Sequence, residues 1–258
     1  MRFGIVGLVV LLCQSVMATG PALPDYYGPE FYHGYQSGDL RNQELIDSLQ
    51  KILAKDHHAL GYDRARKYLF GQLYLENLAG AWAIKDVYCE HTFTNKELAV
   101  GPDIIPDGNV LNTEHTWPQS RFTNRFPKET QKSDLHHLFP TDNEMNNRRG
   151  AQRFGYVSES TEDLKCPIAQ LGMNESHSEI VFQAPAHHRG NVARALFYFA
   201  TRYQMKVSAS EEKDMRRWNQ EDPVDEAEAL RNDEIFKLQG DRNPFIDFPD
   251  LIDRIEHF

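Results

Sequence analysis

From position 42 onward the apolar residues recur at helical spacing. Leu45, Leu49, Ile52 and Leu53 share one face, and Asn42 stands where a cap belongs. A second helix is expected from Asp63, with Ala65, Tyr68 and Leu69 turned inward. The stretch 82–94, carrying Ile84, Val87, Tyr88 and Phe93, reads as a strand. Pro106-Asp107-Gly108-Asn109 is a turn, and a new strand should start at Val110-Leu111. Asp134 to Phe139 reads as a short strand stopped by Pro140. Thr141-Asp142-Asn143-Glu144 has the form of a capping box, Thr at the cap and Glu three residues on. A helix should begin there and close at Gly150. In the C-terminal third, Val192, Leu196, Phe199 and Tyr203 lie on one face, and Asp225 to Leu238 should also be helical. The whole predicts an α+β fold, a mostly helical single domain over 42–258. An irregular arm at 19–41, rich in Pro, Gly and Tyr, precedes it.

The first residues change the picture by setting the compartment. Met1-Arg2, the apolar run Ile5 to Leu12 and the small residues of Val16-Met17-Ala18 form a signal peptide pattern, with cleavage expected near Ala18. The apolar run is too short to span a bilayer, so the expectation is a secreted or periplasmic protein with no membrane anchor after cleavage. Removal of the signal takes Cys13 and leaves Cys89 and Cys166. In an oxidising compartment these two invite one disulfide closing a long loop; two unpaired buried thiols are the alternative. The formal charge is −10, or −11 once Arg2 is gone, which argues against a protein that coats nucleic acid with a basic surface. From Glu114 to Arg153, however, seven basic residues stand against five acids. That local excess is what an enzyme acting on an anionic polymer needs. Nothing in the pattern asks for a second subunit, and a monomer is expected.

Phosphodiester hydrolysis requires an activated water, a cation on the phosphate oxygens and neutralisation of the leaving alkoxide. A histidine is the natural base near neutral pH, and hard Mg²⁺ takes oxygen ligands, few of them from protein. Asn112-Thr113-Glu114-His115-Thr116-Trp117-Pro118 offers the base and a carboxylate. Neighbours on a regular strand face opposite ways, so both can serve one site only if the strand is ending. On this pair alone a surface Glu-His dipeptide is the better reading. Ser133-Asp134-Leu135-His136-His137-Leu138 and Glu144-Met145-Asn146-Asn147-Arg148-Arg149-Gly150 shift the balance, because Asn146 on the capped helix can bring a second oxygen ligand.

These motifs together resemble the endonuclease I family, exported nonspecific nucleases of the ββα-metal (His-Me finger) type. Arg189-Gly190-Asn191-Val192-Ala193-Arg194, Trp218-Asn219 and Gln239-Gly240-Asp241-Arg242-Asn243-Pro244-Phe245 extend the resemblance over residues 40–247. The resemblance implies a ββα finger at about 110–150, with Mg²⁺ on Glu114 and Asn146 (Mn²⁺ or Ca²⁺ as substitutes). It implies His115 as general base, oriented by a backbone carbonyl near Lys132, and cleavage of DNA and RNA to 5′-phosphate and 3′-hydroxyl ends. The family's phosphate-contacting arginine has no clear counterpart; Arg121, Arg125 and Arg149 are the candidates. Asp134 and His136 read as structural, His57-His58 and His187-His188 as surface or packing residues, and Phe197-Tyr198-Phe199 as core. The competing reading is an inactive exported relative that only binds nucleic acid. A zinc peptidase is disfavoured because no HExxH signature occurs.

Overall fold

The computed structural model describes residues 23–258, so the expected signal peptide lies outside the described residues. Four helices come first: α1 (Leu23–Tyr27), α2 (Pro29–Ser37), α3 (Asn42–Lys55) and α4 (Tyr62–Tyr68). Strands β1 (Glu76–Leu78), β2 (Ala81–Lys85) and β3 (Thr92–Thr94) form an antiparallel sheet. The ribbon β4 (Leu111–His115) and β5 (Leu138–Asp142) flanks a short helix α5 (Lys128–Lys132) and leads into α6 (Asn143–Arg149). A third sheet has the order β6-β9-β8-β7, with β6 (Arg153–Phe154), β7 (Val157–Ser160), β8 (Gln170–Asn174) and β9 (Ile180–Gln183). Helices α7 (Arg189–Arg202), α8 (Ala209–Glu221), α9 (Glu226–Gln239) and α10 (Pro244–Asp247) complete the chain. The α+β class stands, with helix predominant.

Helix α7 is the centre of the molecule. Its expected face of Val192, Leu196, Phe199 and Tyr203 is buried, and so are Ala193, Ala195, Phe197 and Tyr198 on its other sides. A helix buried on nearly every side is an interior helix, here wrapped by α3, α8 and α10. Its first turn admits no side chain at Gly190, where a Cβ would sit 1.9 Å from the Asp222 carbonyl oxygen. A smaller apolar cluster, including Ile84, Leu111, Leu135, Leu138 and Ile235, lies under the ribbon.

Several expectations shift for identifiable reasons. The segment expected as an irregular arm at 19–41 is helical over α1 and α2. Its aromatic residues find partners in the C-terminal segment: Tyr27 and Phe31 stack on each other and meet Phe248. Asn42 does not cap α3; its side-chain oxygen accepts from the Glu256 amide instead. The strand expected at 82–94 is broken by Asp86, whose carboxylate accepts from the amides of Tyr88, Cys89 and His91 and so folds a turn between β2 and β3. The strand expected from Asp134 starts only at Leu138, because Asp134 accepts from the His136 amide and caps a 3₁₀ turn over Leu135–His137. Pro140 then runs inside β5 rather than stopping it. Its carbonyl faces away from β4 toward the Val87 amide at 3.0 Å, so its missing N–H also lies on the outer edge and costs no ladder bond. The α6 cap is Asp142, not Thr141: its side chain accepts from the amides of Glu144 and Met145. Gly150 closes α6 at φ 53° as expected.

Candidate active site

Register in the ribbon places Glu114 opposite Phe139 and His115 opposite Leu138, and β5 passes directly into α6. One turn into α6, Asn146 donates its amide N–H to the Thr113 carbonyl at 3.2 Å, which ties helix to strand. The amide oxygen stays available. Glu114 and His115, although adjacent, both line one open cavity of about 310 Å³, together with Tyr62, Thr113, Gln119 and Asn146. They can do so because His115 is the last residue of β4. The finger expected at about 110–150 is therefore a strand, an ordered excursion, a second strand and a helix converging on that cavity.

The two central side chains sit in opposite electrostatic situations. Glu114 is 1% exposed. Its Oε1 accepts from the Tyr88 hydroxyl at 2.8 Å and pairs with Arg149 Nη1 at 3.0 Å. Burial raises its pKa, and Arg149 and Tyr88 pull it back toward the ionised form. His115 has its Nε2 3.2 Å from the Lys132 carbonyl oxygen, the last residue of α5. A carbonyl can only accept, so Nε2 carries the proton and Nδ1 keeps a lone pair. Burial, with His137 beside it, holds the imidazole well below its ordinary pKa, so the ring is neutral at neutral pH. Nδ1 lies 3.4 Å from the Gln119 amide, on the cavity side. This is a histidine set up to accept a proton.

The endonuclease I family model matches residues 42–250, most of the chain. The chain belongs to the endonuclease I family. It is 32% identical over 171 residues to an extracellular ribonuclease of Bacillus subtilis (strain 168), covering 57% of this chain and 55% of that protein. A periplasmic deoxyribonuclease of Aeromonas hydrophila is 32% identical over 117 residues, 45% of this chain and 48% of that protein. An Endonuclease-1 of Buchnera aphidicola subsp. Baizongia pistaciae (strain Bp) is 30% identical over 115 residues, 45% of this chain and 46% of that protein. The matched segments thus span about half the length of these curated relatives.

Within this endonuclease I fold the candidate arginines separate clearly. Arg149 is 1% exposed and not free to hold a phosphate. Beyond Glu114, it donates to the carbonyls of His115 and Thr116 and stacks its guanidinium 4.3 Å over the Phe154 ring. Arg149 borders the cavity, but its guanidinium is committed to Glu114 and to the strand end that carries His115. Arg121 donates to the Ala151 carbonyl at 2.6 Å and lies 3.7 Å from Glu211, so it too is engaged within the protein. Arg125 is exposed, and its guanidinium makes no hydrogen bond among the described residues.

Two places could hold a metal. Glu114 Oε2, which no side-chain donor engages, and the amide oxygen of Asn146 both border the cavity. One carboxylate and one neutral oxygen in an open pocket suit a hard cation that keeps most of its water. The other place is the cluster of His57, Asp134 and Asp241, whose ligand atoms lie within 4.8 Å of one another. There every carboxylate oxygen already has a donor. Asp134 accepts from the His136 amide, Gln239, Tyr198 and Tyr203. Asp241 accepts from Gln239, the single Tyr198 proton is shared between Asp134 and Asp241, and His57 Nδ1 stands 3.2 Å from Asp241 Oδ2, an ion-pair contact whose angle falls short of a hydrogen bond. Burial alone would raise the Asp134 pKa, but the surrounding imidazoles and Gln239 hold it well below the usual carboxylate range. The carboxylates of this polar hub are hydrogen-bonded within the protein, while both ring nitrogens of His57 are buried without a hydrogen-bond partner. His57 is accordingly neither a surface nor an apolar packing residue.

The cysteines pair as expected: Cys89 and Cys166 form a disulfide bridging 77 positions. Sequence reasoning missed Tyr62, Tyr88 and Gln119. Gln119 lies four residues beyond His115, close enough to have been suspected. Tyr62 and Tyr88 come from elements remote in sequence and gave no local signal.

Proposed function

We propose that this protein is an exported, metal-dependent, nonspecific endonuclease that cuts DNA and RNA to 5′-phosphate and 3′-hydroxyl ends. The observation that carries the reading is His115, whose Nε2–H is held by the Lys132 carbonyl and whose Nδ1, contacted only by the Gln119 amide, faces a cavity shared with Glu114 and Asn146. In this mechanism Nδ1 takes the proton of an attacking water as its oxygen bonds to phosphorus and the P–O3′ bond breaks, the departing 3′ oxygen taking a proton from solvent. Gln119 steadies the imidazole from the cavity side. Arg149 fixes the carbonyls that follow Glu114 and opposes the rise in that carboxylate's pKa that burial causes. Glu114 and Asn146 would hold a Mg²⁺-type ion, which would supply positive charge to the phosphate oxygens. The names of the relatives, extracellular and periplasmic nucleases, support both the activity and export. No described helix is long and apolar enough to cross a membrane.

The test is degradation of plasmid DNA and of RNA with added Mg²⁺, with EDTA, and with His115→Ala. The reading requires cleavage that EDTA stops, and a loss of about 10² to 10⁴-fold in the variant at neutral pH. Binding without any cleavage would favour the inactive-relative reading.

A further inference from the structure

With Arg121 and Arg149 engaged inside the protein, the cavity's cations must be sought elsewhere. Arg148 and Arg153 are also matched to acids, Glu162 and Glu179 respectively. Arg125 is unpaired but exposed, whereas two unmatched cations are held against Tyr62 of the cavity wall. Lys132 Nζ stands 4.1 Å from the ring centroid of Tyr62, and the Arg66 guanidinium carbon stands 5.6 Å from the same centroid. Neither forms an ion pair with an acid among the described residues, and Arg66 Nε is buried without a hydrogen-bond partner. Tyr62 lines the active cavity, with its ring 5.5 Å from the His115 imidazole.

Two positive groups held against one aromatic ring repel each other, and among the described residues no carboxylate lies within ion-pair distance of either. The ring's negative face holds the cations in place but does not neutralise them. The missing component is an anion. We propose that Lys132, Arg66 and Tyr62 form a subsite for a backbone phosphate of the nucleic acid, next to the phosphate at which His115 acts. Lys132 would then serve the site twice. Its carbonyl orients His115, and its ammonium pairs with the neighbouring phosphate, which sets the register of the strand against the base. The proposal rests on the nuclease reading for its ligand, but its readout is binding and not cleavage.

The experiment titrates a duplex DNA oligonucleotide against wild type, Lys132→Gln, Arg66→Gln and the double variant, in EDTA, at salt from roughly 50 to 200 mM. Each lost phosphate contact reduces the slope of log affinity against log salt by about 0.9. Over that fourfold salt range, wild type should therefore lose about 3.5-fold more affinity than either single variant. The double variant should show about twice the slope change. Lys132→Arg should restore the slope, and Tyr62→Leu should lower it although no charge is removed. In Mg²⁺, the Lys132→Gln protein should lose more in KM than in kcat. Equal slopes in wild type and both single variants would overturn the subsite. So would a fall in kcat at unchanged slope, which would mean that residue 132 acts only through its carbonyl. Wild type that binds DNA but never cuts it would refute the nuclease reading, while the slopes would still decide the subsite.

Discussion

Replacing Arg149 tests the most consequential difference between the sequence expectation and the structure. If Arg149 were a phosphate ligand, Arg149→Met would leave the fold intact and weaken DNA binding. The structure requires the opposite. The guanidinium is buried against an equally buried Glu114 at 3.0 Å and donates to the carbonyls of His115 and Thr116. Methionine keeps most of the stem's packing on Phe154 but strands a buried carboxylate, at a cost of about 3–5 kcal/mol. The orphaned carbonyls overlap with that figure and are not added to it. For a chain of this size, about 2–4 °C of melting temperature is lost per kcal/mol, so the midpoint should fall by roughly 6–20 °C. Arg149→Lys should recover only part of the loss, because a single ammonium cannot span a carboxylate and two carbonyls. Thermal unfolding followed by circular dichroism, with EDTA present, measures the fall. Salt-dependent DNA binding by the folded variant measures the alternative. An Arg149→Met protein that melts within about 2 °C of wild type yet shows a reduced salt slope would refute the structural role assigned here.

Glu114→Gln should need more added Mg²⁺ or Mn²⁺ to recover any cleavage than Asn146→Ala, since only the first removes charge from the ion; identical metal titrations would place the ion elsewhere. Reducing Cys89–Cys166 should lower the melting temperature, because the bridge closes 77 positions and contributes about 4 kcal/mol on the chain-entropy model. It should also raise the metal requirement, as Cys89 adjoins Tyr88, the hydrogen-bond partner of Glu114; a midpoint indifferent to reductant would count against the bridge. Burial pushes the His57 pKa down, but Asp241 beside it and Asp134 behind carry it above its ordinary value. A raised folded value means the stabilisation is complete below about pH 6.5 and is lost as pH rises through the folded value. Melting temperature should therefore decline above about pH 6.5, and His57→Asn should flatten that decline; the same decline in the variant would exclude His57 as its source.

What the sequence displayed depended on how far apart the interacting groups lie. Glu114 and His115 are neighbours, Asn146 follows a cap signal, and Gly150 ends a helix by its own backbone freedom, so these were legible. The cap itself was displaced by one residue, from Thr141 to Asp142, because either side chain can cap and only the register of the helix decides between them. Pro140 misled because its missing N–H matters only on a paired edge, and pairing is not a local property. Arg149 could not be told from an exposed arginine without knowing that Phe154 and Glu114 enclose it. His57 finds its partner at Asp241, far along the chain, and no spacing rule reaches that distance. The helical segment 23–37 was hidden for the same reason, since Phe248 is what Tyr27 and Phe31 pack against.

The hub around Asp134 has a consequence for the order in which the molecule can be assembled. Of the four donors that reach the Asp134 carboxylate, only the His136 amide belongs to the finger; Tyr198, Tyr203 and Gln239 arrive much later along the chain. Residues 111–149 are contiguous and contain every residue proposed for catalysis and metal binding, yet they do not make a self-sufficient unit. A chain emerging N-terminus first reaches residue 149 with Asp134 still lacking the groups that keep its charge tolerable in an interior. The turn from Lys132 to His137, and with it the carbonyl that orients His115, can settle only after α7 and the end of α9 have docked. Completion of the site thus waits on α7 and the end of α9, well after the finger itself has been made.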